Sequence, residues 1–277
     1  MKLRRIARWV VPVGVADLLR GRSTTTHFRV AEDGWPAFSD EQTPWNDERI
    51  ASTLAERWPQ FVEALSGTAP LDLAHEASAP GSRNMPFHNT YMTFGYVLAR
   101  TSRMRERFSV MDWGGGLGHY HVLSEALLPE LELEYHVKDT PAMCAEGRRV
   151  LPVVHFHEDD ECLSRPYDLV MASGSLHCVE EWRAAARRLA HAAGGYLYVT
   201  RLPLLLDHET VAVVQDARPH GFDADVPLWF LNRAEFLAHM ADCGMTLIRE
   251  FYIDEVQRAQ DIDEPAEMRG FLFRPAG

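Results

Sequence analysis

Apolar positions along this chain recur at two spacings, and the change between them divides it. Through the first hundred residues the apolar spacing is helical, with irregular stretches between. Ile50, Leu54 and Trp58 fall at i, i+4 and i+8 behind Asn46, a capping residue type. Phe61, Val62 and Leu65 continue the apolar stripe past Pro59, which is expected to break or restart the helix. Tyr91, Phe94, Val97 and Leu98 mark a second amphipathic helix. Residues 24–45 and 66–86, rich in Pro, Gly and Thr, read as loops.

From Phe108 onward short apolar runs alternate with helical stretches. Phe108–Asp112 is a strand ending at an acid, and Gly118–Leu128 is a helix stopped by Pro129. Leu131, Leu133, Tyr135 and Val137 alternate with period two, as a strand does. A helix over Pro141–Val150, strands at Val153–Phe156 and Tyr167–Ala172, a helix over Glu180–Ala193 and a strand at Tyr196–Thr200 follow. Gly194 and Gly195 are expected to supply a left-handed stop between the last two. Asn232, with Glu235 three residues on, opens a further helix that ends at Gly244. Met245–Ile253 and Met268–Phe273 are two late strands. The pattern predicts an α/β fold, a Rossmann-like, doubly wound, mostly parallel sheet with helices on both faces. Its parts are a basic arm at residues 1–23, a helical cap at 24–86 and the α/β domain at 87–277.

Composition narrows the function classes. Of the 277 residues, 46% are hydrophobic and 25% charged, enough apolar surface to fold. The net charge of −12 excludes a broad nucleic-acid footprint, which needs clustered Lys and Arg. Residues 1–23 are net basic, with Lys2, Arg4, Arg5, Arg8, Arg20 and Arg22 against the single acid Asp17. Pro12 and Gly14 interrupt the apolar run there, which argues against a signal peptide. Two readings stay open for this arm: packing on its own domain or a partner, and peripheral membrane contact. The four cysteines, Cys144, Cys162, Cys178 and Cys243, form no C-x-x-C pair and suit a reduced, cytoplasmic setting. No apolar stretch is long enough to span a bilayer.

The chemistry concentrates in Asp112-Trp113-Gly114-Gly115-Gly116-Leu117-Gly118, where a strand must turn into a helix. Glycines allow positive φ and close ligand approach, and the helix points free N–H groups at the same place. The crevice at the carboxyl ends of parallel strands is where open α/β sheets bind ligands. No Gly-Lys-Ser/Thr follows, so this is not a P-loop, and the third glycine of a dinucleotide fingerprint is replaced by His119. The spacing acid-x-Gly-x-Gly-x-Gly at Asp112, Gly114, Gly116 and Gly118 resembles motif I of class I S-adenosylmethionine-dependent methyltransferases. The resemblance extends over about residues 88–275. Asp139 matches the family acid after the second strand, and Asp159 the polar residue after the third. Tyr167-Asp168-Leu169-Val170 resembles the fourth-strand motif, and the last two strands the family's closing antiparallel pair. The Trp-Gly-Gly-Gly-Leu-Gly run, with Asp139-Thr140-Pro141, resembles a bacterial branch linked to surface-glycan or natural-product gene sets.

The resemblance implies S-adenosyl-L-methionine as cofactor. It would be held by Asp112, Gly114, Gly115, Gly116 and Gly118, by Asp139 at the ribose, by Asp159 at the adenine and by Ser173. It implies methyl transfer to oxygen or nitrogen of a small molecule or glycan unit, with His177, His208 and His220 as candidate general bases. Tyr91, Arg201 and Trp229 are candidate acceptor contacts. No metal is expected: the His119/His121 spacing spreads the two over different helix faces. A homodimer is compatible with this reading. Two other classes stay open, a cofactor-binding scaffold or partner subunit without transfer, and a nicotinamide-dependent oxidoreductase, which His119 disfavours.

Overall fold

The computed structural model describes residues 28–36, 46–73, 84–216, 218 and 225–276. The basic arm and His220 lie outside the described residues. Seven strands form the central sheet, in the order β4 (His155–His157), β3 (Glu132–Lys138), β2 (Arg107–Trp113), β5 (Tyr167–Ser173), β6 (Ala193–Leu205), β10 (Ala266–Pro275) and β9 (Met245–Gln257). Adjacent strands from β4 to β6 pair in parallel, and β10 runs antiparallel to both β6 and β9. This is the mostly parallel sheet with a closing antiparallel pair that the sequence pattern predicts.

Phe108, Val110, Met111 and Trp113 of β2 and residues 169–172 of β5 are buried on both faces of the sheet, as a doubly covered parallel sheet requires. Phe108 and Val110 face one layer, with α2 (Met85–Thr101), α3 (His119–Leu127) and α4 (Pro141–Val150). Met111 and Trp113 face the other, with α5 (Trp182–Ala192) and α6 (Arg233–Asp242). The first helix, α1 (Glu48–Ser66), buries Ile50, Leu54 and Trp58 against Leu117 and Met143, and so lies against the glycine turn. Among the described residues, no helix is long and apolar enough to cross a membrane.

Several elements differ from the pattern. Helix α1 runs unbroken through Pro59, and its cap is Asp47, whose carboxylate accepts the Arg49 N–H at 2.8 Å. An interior proline costs about 3 kcal/mol. Burial of Trp58, Phe61 and Leu65, each worth about 1.5–3 kcal/mol, outweighs it. The third strand lies at His155–His157, later than predicted. Gly194 and Gly195 are not a left-handed stop: both belong to β6, and neither has positive φ. A Cβ at Gly195 would sit 2.5 Å from the Asp168 carbonyl oxygen, so the glycine permits close strand approach instead.

The largest difference lies after Thr200. Strand β6 continues to Leu205, and two unpredicted strands follow, β7 (Val211–Asp216) and β8 (Asp225–Asn232). Residues Phe28–Val30, predicted as loop, form β1 and pair with β7, which pairs with β8. Strand β8 joins β6 at Leu204 and Leu205, beyond the point where β5 ends opposite Thr200. The sheet is thereby extended past its own carboxyl edge.

Gly147 gives a test of which force governs α4. In an exposed helix, Ala is about 1 kcal/mol better than Gly. Here a Cβ would meet the Phe156 ring at 2.3 Å. Overpacking costs about 1–3 kcal/mol. Gly147→Ala is therefore expected to lower the denaturation midpoint, and a raised midpoint in urea would show that the ring yields.

Candidate functional site

The site forms where β2, β3 and β5 end. Gly114, Gly116 and Gly118 have φ of +74°, +57° and +88°, a conformation in which only glycine is unstrained. The four glycines nevertheless serve different ends. A Cβ at Gly114 would lie 2.3 Å from the Ser175 Cβ, at Gly115 2.6 Å from the Asp112 carboxylate, and at Gly118 2.8 Å from Leu151. Those three are required by packing within the chain. Around Gly116 the nearest atom is His119 Nδ1, at 3.8 Å, so this glycine is the one that presents bare backbone. His119, at the third fingerprint position, is buried edge-on against Trp58 and Phe61.

Two carboxylates brace the turn. Asp112 is fully buried beneath Gly115 and accepts the Tyr135 hydroxyl at 3.0 Å. Burial, then the neighbouring Asp112 charge, push the Tyr135 phenol up, so it keeps the proton it donates. Asp139 follows β3 and reaches back: Oδ2 accepts the Gly116 N–H at 2.8 Å, and Oδ1 accepts the Thr140 N–H at 2.7 Å. Burial raises its pKa against the opposing effect of these two amides. The Gly114 N–H donates to the Lys138 carbonyl at 2.7 Å, so turn and strand end are tied twice.

The loop after β5 supplies the other wall. Ser175 Oγ donates to the Trp113 carbonyl at 2.7 Å, and Ser173 Oγ lies 2.7 Å from the Tyr120 hydroxyl. His177 sits in the short 3-10 turn Leu176–Cys178, buried, with no hydrogen-bond partner for Nδ1 among the described residues. Burial, then the Arg201 charge, lower its pKa to about 3, so it is neutral at ordinary pH. Arg201 has φ of +54°, stacks its guanidinium 4.4 Å from the Phe87 ring centre and lies beside Gly174.

Other candidates are placed elsewhere or differently. Asp159 caps the 3-10 turn Asp160–Ser164 by accepting the Glu161 N–H at 3.0 Å, two residues past β4. Tyr91 is buried, with its hydroxyl donating to the Leu73 carbonyl at 3.0 Å. Trp229 stacks on Trp35 and donates Nε1 to the Val179 and Glu180 carbonyls, just past the His177 turn. His208 lies on the β6–β7 turn, where its N–H donates to Glu264 and its ring meets the Glu209 carbonyl. Ser175, Tyr120, Phe87 and Glu255 were not singled out by sequence. For Ser175 a signal existed: it follows a glycine directly after an apolar strand. Among the described residues, no group of three or more His, Cys, Asp or Glu is arranged to hold a metal ion.

No protein-family model matches the chain, and no curated protein matches it. Solved structures do. The CcbJ methyltransferase from Streptomyces caelestis superposes with a TM-score of 0.50 at 15% identity, over 86% of this chain and 100% of that one. The two share a fold. The N-terminal domain of EvdMO1 with SAH bound gives 0.47 at 15% identity, over 84% and 98%. An S-adenosylmethionine-dependent methyltransferase from Clostridium acetobutylicum gives 0.47 at 11% identity, over 68% and 92%.

His177 makes stability depend on pH. Its folded pKa lies below its unfolded value, so the unfolded chain binds the proton first. Stability is fully present above about pH 6.5 and declines as pH falls toward 3. His121, His136 and His157 are lowered by burial too and add to the slope. His177→Asn is expected to flatten the pH dependence by on the order of a few kcal/mol across that window. Urea titrations at pH 4 and 7 read this directly, and an unchanged slope would mean that His177 is protonated in the fold.

Proposed function

We propose that this chain binds S-adenosyl-L-methionine and transfers its methyl group to oxygen or nitrogen of a small molecule or glycan unit. The observation that carries the reading is the glycine turn with bare backbone at Gly116, braced by Asp139 at the carboxyl edge of the sheet. The fold shared with a solved methyltransferase is compatible with it. The residues fit the cofactor. Each Asp139 oxygen accepts one backbone N–H and keeps a further lone pair, so the carboxylate can still take two vicinal ribose hydroxyls. Gly114, Gly116 and Gly118, with Asp112 beneath them, would shape the cradle for the amino-acid portion. Asp159 would face the adenine, and Ser173 would close the near wall.

The bound cofactor supplies a methyl carbon already activated by a sulfonium. The chain's contribution is alignment, worth up to about 7–11 kcal/mol of a barrier when two reactants are held in place. His177 is the candidate base for a hydroxyl or ammonium acceptor: it is neutral, but a pKa lowered to about 3 makes it a weak proton acceptor unless bound substrate changes its surroundings. A carboxylate acceptor needs no base. His208 and His220 are less favoured, the first because its ring meets its own turn, and the second lies outside the described residues.

Isothermal titration with S-adenosylhomocysteine and with NADH separates the readings. Tight binding of the former together with methyl transfer to a metabolite extract supports the transferase. Binding without transfer points to a scaffold, and preference for NADH to an oxidoreductase. Asp139→Ala is expected to weaken S-adenosylhomocysteine by about 1–3 kcal/mol and to lower the melting temperature, because the Gly116 and Thr140 amides lose their acceptor. Unchanged affinity would move the ribose contact elsewhere. Both Gly116→Ala and Gly114→Ala carry the backbone strain of positive φ, but Gly114→Ala should cost more stability, since only it also collides with Ser175, and Gly116→Ala should show the larger share of its loss in ligand affinity.

A further inference from the structure

Strand β10 has three register irregularities in its pairings, and two of them flank residues 268–270 from opposite sides. On one side Val199 pairs with Phe271 and Leu202 with Arg269, so Thr200 and Arg201 together oppose Gly270. That is a β-bulge on β6. On the other side Tyr252 pairs with Arg269 and Val256 with Glu267, so Ile253, Asp254 and Glu255 together oppose Met268. That is a wider bulge on β9. Among the described residues, three non-glycine residues have positive φ, and two of them are Arg201 (+54°) and Asp254 (+63°), one in each bulge. Residues held in this conformation cost on the order of 1–3 kcal/mol and persist where surrounding structure enforces them. Bulges re-aim side chains and recur beside active sites.

The side chains they re-aim meet. Arg201 Nη1 lies 3.5 Å from Glu255 Oε2, and the guanidinium covers Phe87 next to Gly174. The contact is long. The Arg233–Glu250 and Arg269–Glu250 pairs nearby close to 2.5 Å. Burial is also unequal, with the Arg201 side chain 14% exposed and Glu255 28%. The cation is therefore the anchored member, and the carboxylate is the one able to swing away. His177, buried and within reach of the Arg201 charge, has no hydrogen-bond partner for Nδ1 among the described residues.

Resting on the methyltransferase reading, we infer that Arg201 receives an anionic group of the acceptor, a carboxylate or phosphate, which displaces Glu255. The guanidinium fork suits either group. Phe87 gives the acceptor an apolar neighbour, and the anion places the reacting atom on the His177 side.

The test uses the full chain saturated with S-adenosylhomocysteine, with benzoate and phenyl phosphate as probes and benzamide as the neutral control. At least one anion is expected to bind, and which one binds tells carboxylate from phosphate. Benzamide should not. Arg201→Gln should weaken the anion about tenfold or more, as loss of a charge-assisted pair does. Arg201→Gly, which suits φ of +54°, serves if the first variant folds poorly. Glu255→Gln should tighten the anion by removing its competitor. The inference is overturned if neither anion binds, if benzamide binds as well, if both Arg201 variants bind like the parent, or if Glu255→Gln weakens binding. Failure of S-adenosylhomocysteine itself to bind would instead overturn the cofactor reading, and its titration against each variant keeps the two failures apart.

Discussion

The hydrogen bond from the Gly116 N–H to Asp139 is the constraint on which the site depends. It joins the turn after β2 to the end of β3 and fixes the backbone that a ligand must approach. Its surroundings explain why each neighbour is what it is. Gly115 lacks a side chain so that the Asp112 carboxylate can lie under the turn, and Gly114 lacks one so that Ser175 can lie against it. Ser175 in turn bonds the Trp113 carbonyl, so the loop after β5 is registered to the same turn. A buried carboxylate is costly unless hydrogen-bonded. The turn supplies amides to Asp139, and Tyr135 supplies a hydroxyl to Asp112. Fold and site are thus stabilised by the same few bonds.

Much of this was legible from sequence because it rests on period and on residue type. Strands β2, β3 and β5 show apolar runs or alternation, and the glycine turn announces its own geometry. What the glycines do was less legible. Their spacing suggests four positions bared for a ligand, whereas three are bared for Ser175, Asp112 and Leu151. Only the three-dimensional neighbours distinguish a glycine that admits a ligand from one that admits the protein itself.

The stretch between Thr200 and Asn232 was illegible for a physical reason. Pro203 and Pro227 stand inside β6 and β8, and proline inside an apolar run argues against a strand. Pro203 is tolerated because it falls between the last β5 pair, at Thr200, and the first β8 pair, at Leu204. On that side β6 has no strand neighbour there, and a missing N–H costs little. The Arg201 kink sits in the same gap. One strand changes partners, and the discontinuity that would otherwise be a defect hosts a residue in a conformation no alternation pattern could forecast.

That exchange of partners also bears on charge. The chain carries a net charge of −12, and an anionic acceptor must approach against it. Long-range attraction is absent, so recognition has to be local and short-ranged. A guanidinium that is mostly buried, stacked on Phe87 and 3.5 Å from Glu255 meets that need, because in a low-dielectric setting a single cation counts for much more than it would in water. Glu255 keeps that cation from standing as an uncompensated buried charge while the site awaits its ligand. The two bulges that cost backbone strain are what bring the pair together, and neither bulge could be straightened without moving one partner away from the other.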